Sequence, residues 1–349
     1  MTTRRFSLTW PDGRVESLEL DLETKSGQKA GGAGRVLRHP NNRDFILKLY
    51  HEKGSGSDER LRFYQPKVEA MIAAKERPRS ADERIATISW PLALLAEGGE
   101  FRGFAMPMGR GEALSDALHK TYLEWPLRRR FVAAHRLAGL IAAVHMQNCH
   151  VVDLKAQNAM VDLAGDDFVT LIDCDGLALW NGRFPPPQST DGYRLPEASH
   201  TSWPSTTREW SPEQCEAQDR FALAVVLFEI LHAGTHPFTG PMIDPNYERA
   251  PSALQDKINA GVYAYVLNPD NYWASANPLW ASRMLDGQRL RCKPHEDSVF
   301  SRLPGALQDL FDRAFNNLRS GGRPSAIEWK AALEVYAREG SAGAWCEEH

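Results

Sequence analysis

The chain has 349 residues, 42% hydrophobic and 25% charged, with a formal net charge of −4. This is the balance of a folded globular chain long enough for two lobes, and it argues against a generally basic nucleic-acid-binding surface. There is no apolar run of about 18 residues to span a membrane, no apolar core for a secretory signal in MTTRRFSLTW, and no C-x-x-C among the five cysteines. A cytoplasmic protein without a zinc site or disulfide framework is therefore expected.

Residues 5 to 22 alternate apolar and polar around Pro11-Asp12-Gly13, which predicts a β-hairpin. SGQKAGGAGRVL, residues 26 to 37, comes next. Its Gly31, Gly32 and Gly34 let backbone N–H groups approach a phosphate with no Cβ in the way, or simply make a flexible loop. The stretch does not match G-x-x-x-x-G-K-[ST], which disfavours a P-loop ATPase. Asp44 to Tyr50 reads as an apolar strand interrupted by Lys48. Residues 58 to 76 are helical in composition, with Pro66 suited to a first turn and Glu69 a candidate surface acid. Ile88 to Leu95 and Phe101 to Met106 read as strands around Gly98-Gly99, and Phe104 to Met108 as the connection that leaves this β-rich region.

From Pro126 to Gln147 a helix is clear: Leu127, Phe131, Ala134, Leu137, Ala138, Ile141 and Val144 recur at helical spacing, with Arg128 to Arg130 on the solvated side. Residues 150 to 176, HVVDLKAQNAMVDLAGDDFVTLIDCDG, then set a hairpin between two acidic loops. Asp153, Lys155 and Asn158 lie in the first loop, Asp173 and Asp175 in the second. Phosphoryl transfer to a hydroxyl needs these groups: a carboxylate to orient the hydroxyl, a Lys to steady the moving phosphoryl, an Asn and an Asp for the metal. Residues 177 to 197 lack periodicity and end in Gly192-Tyr193-Arg194-Leu195-Pro196-Glu197. Asp219 opens a helix, Phe221 to Leu231, apolar on nearly all faces and so expected to be buried. Asp219 also reads as a simple N-cap. Residues 239 to 300 are poorly periodic; Leu303 to Phe315 and Ser325 to Tyr336 are amphipathic helices.

These stretches resemble the protein kinases. D-L-K-x-x-N is matched by Asp153, Lys155 and Asn158, and D-F-G by Asp173-Cys174-Asp175; the His-Arg that precedes the first Asp in that family is Val151-Val152 here. Gly31, Gly34 and Val36 fall in register with G-x-G-x-x-G-x-V, with Lys29 at its first glycine. The block from Asp219 through Gly234-Thr235-His236-Pro237-Phe238 is similar to the central kinase helix and the segment just after it.

The resemblance implies an α+β, bilobal kinase-like fold, with a β-rich lobe over residues 1–106 and a mainly helical lobe over 107–349. It implies ATP and Mg²⁺, or Mn²⁺ in its place. It assigns Asp153 to the substrate hydroxyl, Lys155 to the transferring phosphoryl, and Asn158 with Asp173 to the metal, Asp175 replacing Asp173 if the loop carries an insertion. Gly31, Gly32, Gly34 and Val36 would cover the phosphates and Lys48 would grip them. Glu69, with Glu59 in reserve, would pair with Lys48, and Met106 to Met108 would meet adenine. Asp219 would brace the catalytic loop through backbone N–H bonds, and Arg323 would pair with Glu197 of the Pro-Glu motif. Lys155 favours serine/threonine over tyrosine specificity. With Val152 where many kinases place an Arg that docks a phosphate, activity is expected not to depend on phosphorylation of Ser189, Thr190 or Tyr193, and a Ser189→Ala, Thr190→Ala double variant is expected to keep most of it. A narrower likeness, to bacterial serine/threonine kinase-like proteins encoded beside a phosphatase and a von Willebrand A protein, adds those two as partners to the protein substrates. A pseudokinase acting as an ATP-binding or scaffolding module is the alternative, and a small-molecule kinase of similar fold a third.

Overall fold

The computed structural model describes residues 3–22, 29–30, 33–51, 57–120, 124–240, 253–259, 261, 263, 265, 300–315 and 322–338. The architecture is α+β, consistent with the kinase-like fold that the resemblance implied. The chain divides into a first unit, Met1–Arg77, Ile88–Gly109 and Ile172–Asp175, and a second, Pro78–Thr87, Arg110–Leu171 and Gly176–His349.

The first unit is an antiparallel sheet in the order β2-β1-β7-β8-β5-β4-β3. Its strands are β1 (Thr3–Thr9), β2 (Val15–Asp21), β3 (Lys29–Ala30), β4 (Gly34–Arg38), β5 (Phe45–Tyr50), β7 (Ala93–Glu97) and β8 (Glu100–Pro107). Side chains alternate between faces with period two. On β5 this sends Leu47 and Leu49 into a cluster with Phe6, Leu8, Leu18 and Leu95. Lys48 and Tyr50 take the opposite face, where Tyr50 joins Phe104, Met106 and the helix residues Tyr64 and Val68.

That helix, α1, spans Ser57–Ala73. Pro66 therefore sits in its body, not in the first turn expected for it. The strand expected over Ile88 to Leu95 is also broken. β6 (Ala86–Ile88) stops there, the Trp90 N–H turns back to the Ile88 carbonyl at 2.8 Å, and Trp90 Nε1 donates to Met71 O at 2.9 Å. Pro91 brings no N–H to continue a ladder.

In the second unit β9 (Glu112–Ala113), β10 (Ala159–Asp162) and β11 (Phe168–Leu171) form a small sheet in the order β6-β11-β10-β9. Helices α2 (Leu114–Lys120), α3 (Leu127–Met146), α4 (Pro212–Leu231), α5 (Leu254–Asn259), α6 (Gly305–Phe315) and α7 (Ala326–Ala337) make up most of the rest. α4 is the core, buried along nearly its whole length from Ala217 to Leu231. Its Phe221 and Phe228 meet Phe315 and Phe311 of α6 at 5.8 and 5.1 Å between ring centres, and Phe311 meets Trp329 of α7 at 4.8 Å.

Two expectations are corrected here. α4 begins at Pro212, not at Asp219: Ser211 Oγ accepts the Gln214 N–H at 3.3 Å and Gln214 Oε1 accepts the Ser211 N–H at 2.9 Å, a reciprocal cap with proline in the first helical position. Nor are Arg129 and Arg130 merely solvated. Arg129 donates to Asp167 and to the Leu163 carbonyl, both at 2.8 Å, pinning the β10–β11 turn. Arg130 is buried, donating to the carbonyls of Trp125 at 2.7 Å and Leu231 at 3.3 Å, the last residue of α4.

Within α4, Glu229 is buried and accepts the Tyr193 hydroxyl at 3.0 Å on each oxygen. Burial pushes its carboxyl up to about 8, with the Tyr193 bond acting the other way. The shift is upward from an ordinary 4.5, so folding takes up a proton. The stabilisation is complete below about pH 4.5 and is lost as pH rises through about 8. Thermal denaturation of the wild type against Glu229→Gln from about pH 5 to about pH 9 should show the wild type losing on the order of a few kcal/mol more across that range. Parallel pH profiles would contradict a buried, neutral Glu229.

Candidate active site

The loop between α3 and β10 is shaped from below by α4. Asp219, 0% exposed, accepts the N–H groups of Val151 at 2.7 Å and Val152 at 2.6 Å, and bonds His145 Nε2 at 2.9 Å. Val152 has φ 61°, a left-handed conformation that β-branched residues rarely enter. Two charge-assisted bonds to one buried carboxylate hold it there. His150 and Ala178 exchange backbone bonds of 2.9 and 2.8 Å, tying the loop to the segment beyond the second acidic cluster.

Asp153 is the next residue and is buried. Its Oδ1 accepts the Thr190 hydroxyl at 2.6 Å; its Oδ2 accepts Lys155 Nζ at 2.8 Å and Gln188 Nε2 at 3.4 Å. Lys155 Nζ also donates to Thr190 Oγ1 at 2.8 Å, so Asp153, Lys155 and Thr190 close a triangle of bonds. Asn158 donates through Nδ2 to the Asp153 carbonyl at 2.9 Å, which fixes its side chain and leaves the amide oxygen as its acceptor end. Gln188 carries no sequence signal of its own, and the sequence pattern makes Thr190 dispensable. Thr190 touches both Asp153 and Lys155, a contact that the sequence pattern does not signal.

The second acidic loop, Ile172–Asp175, belongs to the first unit. Asp173 has φ 62°, after which Cys174–Gly176 form a single tight turn. Lys48 Nζ donates to Asp173 Oδ1 at 2.5 Å and to Asp175 Oδ1 and Oδ2 at 2.6 and 2.8 Å. Tyr50, two residues along β5 and so on the same face, donates its hydroxyl to Asp175 Oδ2 at 2.6 Å. Burial alone would lower the Lys48 ammonium; the charges of Asp175 and then Asp173 outweigh it and hold the group well above its ordinary value. Burial, with the Asp175 charge behind it, raises the Tyr50 hydroxyl. The Lys48-Leu49-Tyr50-His51 stretch contributes to the bacterial kinase likeness, but the sequence reading gives Tyr50 no role of its own, although its period-two spacing from Lys48 is there to read.

The other candidates have varied surroundings. Gly31 and Gly32 lie outside the described residues. A Cβ on Gly34 would stand 2.4 Å from the Leu49 carbonyl oxygen, so close approach of β4 to β5 accounts for that glycine. Val36 is half-buried on β4, opposite Lys48 in the register. Glu69 does not pair with Lys48: it is exposed on α1 and accepts from Gln65, one turn away, at 2.9 Å. Glu59, the reserve, is likewise exposed. Met106 is not in a connection. It is a strand residue opposite Ile46, its side chain buried in the cluster around Tyr50. Met108 is 38% exposed and gives its N–H to the Asp44 carbonyl at 2.8 Å.

Glu197 and Arg323 form a two-pronged pair in the second unit, Nη1 to Oε1 at 2.7 Å and Nη2 to Oε2 at 3.0 Å. Arg323 Nε donates to the Ala314 carbonyl at 3.0 Å, and both side chains are buried. The pair thus fastens the end of the 177–197 segment to α6.

Among the described residues no group of three or more His, Cys, Asp or Glu could by itself hold a metal. That is compatible with Mg²⁺, which is held by one or two carboxylates, with substrate phosphates and water as the remaining ligands. In the first unit, Asp173, with a side chain 44% exposed, is a hard oxygen donor of the right kind.

No protein-family model matches the chain. It is similar to the protein named Protein kinase YegI from Escherichia coli K12, 28% identical over 328 residues, which is 87% of this chain. The protein of the same name from Escherichia coli O157:H7 is 28% identical over 333 residues, 88% of this chain. The matches take in 43% and 44% of those proteins, so the chain spans less than half the length of the curated relatives it matches. The similarity supports a protein-kinase-like relationship.

Removing one partner of a buried ion pair strands the other charge, at a cost of about 3–5 kcal/mol. Arg323→Ala should lose about that much stability in denaturant unfolding, since Glu197 would keep its burial without its guanidinium. An unfolding midpoint equal to that of the wild type would contradict the burial of this pair.

Proposed function

We propose that the chain is an ATP-dependent serine/threonine protein kinase. The observation that carries this reading is the Asp153–Lys155–Thr190 triangle, a carboxylate and an ammonium fixed together at the end of a loop that a buried Asp219 shapes. In this reading Asp153 accepts a hydrogen bond from the substrate hydroxyl and takes its proton as transfer proceeds. Lys155 places positive charge where the transferring group passes. Thr190 and Gln188 keep the Asp153 carboxylate in one orientation. Lys48 holds phosphate oxygens from the first unit, and Asp173 and Asn158 carry the oxygen donors for Mg²⁺ or Mn²⁺. Metal-bound ATP supplies the phosphoryl group, and the cation neutralises charge on it. Protein substrates belong to the same proposal. The phosphatase and the von Willebrand A protein rest on sequence resemblance alone.

A second reading, a pseudokinase that binds nucleotide without transferring phosphate, draws on one observation: Lys48 is bonded to two carboxylates, Asp173 and Asp175, and not to a helix glutamate. Transfer from γ-labelled ATP to generic protein substrates, with Mg²⁺ or Mn²⁺, separates the two. The wild type should transfer. Asp153→Asn should lose transfer by on the order of a hundredfold or more while still binding ATP, because a positioned base contributes about 10² to 10⁴. Thr190→Ala should lose roughly tenfold, the worth of one hydrogen bond of about 1.4 kcal/mol holding the base. A wild type no more active than Asp153→Asn across many substrates would establish the pseudokinase reading.

A further inference from the structure

We propose that Asp175 is the positioning residue for Lys48, filling the role that a helix glutamate was expected to fill, and that Asp173 is the acid left for the cation. The inference rests on the nucleotide-binding reading above and concerns how its phosphate-holding half is built.

The two acids sit two residues apart in one turn, yet their surroundings differ. Asp175 is 1% exposed. It offers both carboxylate oxygens to Lys48 Nζ, at 2.6 and 2.8 Å, and Oδ2 takes the Tyr50 hydroxyl as well, at 2.6 Å. Asp173 bonds Lys48 through Oδ1, and 44% of its side chain is exposed. A hydrated divalent cation carries water and phosphate ligands along with its protein ligands, so it requires a carboxylate that solvent reaches. Asp173 meets that requirement and Asp175 does not.

Asp175 has instead the features of a fixed partner. Lys48 and Tyr50 are neighbours on one face of β5, and a single carboxylate serves both. The Tyr50 ring is itself immobilised, stacked on Tyr64 of α1 at 4.7 Å between centres and 18° between planes. The chain α1–Tyr64–Tyr50–Asp175–Lys48 therefore links the helix to the ammonium through a ring stack and two sets of hydrogen bonds. A helix glutamate would make that link in one step; Glu69 is exposed and turned to Gln65.

Three variants test this: Asp175→Asn, Asp173→Asn and Tyr50→Phe. The first readout is ADP affinity by calorimetry, with EDTA and with Mg²⁺, backed by Mn²⁺ binding to the ADP complex followed by electron paramagnetic resonance. Asp175→Asn should weaken ADP binding roughly tenfold in EDTA and keep the Mn²⁺ affinity, while Tyr50→Phe shifts the same way by less. Asp173→Asn should keep most of the EDTA affinity and lose the gain that metal gives. Loss of Mn²⁺ binding in Asp175→Asn, or unchanged EDTA affinity, would overturn the assignment. The second readout needs no nucleotide. In thermal denaturation, Asp175→Asn combined with Lys48→Met should depart from additivity by several degrees, and by more than Asp173→Asn combined with Lys48→Met. Equal departures would overturn the positioning role even if nucleotide binds. A wild type that binds no ADP yet shows the larger Asp175 coupling would instead remove the nucleotide reading and leave the Lys48–Asp175 link standing.

Discussion

A single carboxylate inside the most buried helix carries much of the second unit's geometry. Asp219 lies in α4, an element packed on all sides by aromatic and aliphatic residues, where an unpartnered charge would be severely penalised. Its oxygens are satisfied by two backbone N–H groups and a histidine nitrogen. The satisfaction runs both ways. The loop gives Asp219 its partners, and Asp219 gives the loop the means to hold Val152 at φ 61°. Cost and compensation are thus local to one contact, and Asp153 is the next residue along the chain. Asp153 is oriented because α4 is buried, and α4 tolerates a buried acid because the loop turns there.

In the first unit the organising constraint is strand alternation. One face of β5 is wholly apolar and closes the leucine cluster of the sheet. The other places Lys48 and Tyr50 side by side, where they meet the Ile172–Asp175 turn. A lysine buried to this degree stays charged because two carboxylates neutralise it. The register with β4 and β8 sets how far along the sheet the ammonium emerges.

Much of this is legible in the residues. The amino-terminal hairpin, the α3 stripe, the hairpin between the acidic loops and the apolar α4 all announce themselves by period or by turn chemistry, which act over a few residues. The start of α4 is equally open to reading, since Ser211-Pro212-Glu213-Gln214 is a capping box with proline at the first position, but the more conspicuous Asp219 masks it. Other features depend on distant residues and leave no local mark. Nothing around Arg129 and Arg130 says that their partners are a turn some 35 residues on and the end of α4. Glu69 falls on a plausible stretch of helix, but which way α1 faces is decided by Tyr64, Val68 and Met71 packing inward, and that turns Glu69 outward. Met106 reads as a connection only from the order of the elements along the chain; it is a strand residue, and Pro107 closes the strand.

The departures from the kinase pattern acquire a common physical character. Val151 and Val152, in place of His-Arg, are buried apolar side chains whose backbone N–H groups make the bonds to Asp219. Cys174, in place of the aromatic residue, is completely buried, and burial raises its thiol well above the ordinary value, which makes it an inert packing group and not a reactive one. Each therefore changes how the scaffold is packed while Asp153, Lys155, Asn158 and Asp173 keep their residue types. A further departure, Asp175 where the pattern has glycine, adds a charge instead of removing one, and it appears in the same protein in which Glu69 is exposed and bonded to Gln65. Losing one carboxylate from a buried lysine and gaining another are separately costly and jointly neutral, because an unpaired ammonium or an unpaired carboxylate at that depth carries the full desolvation penalty. On the reading proposed above, the two departures are one substitution of partners at Lys48, between positions 106 apart in the sequence.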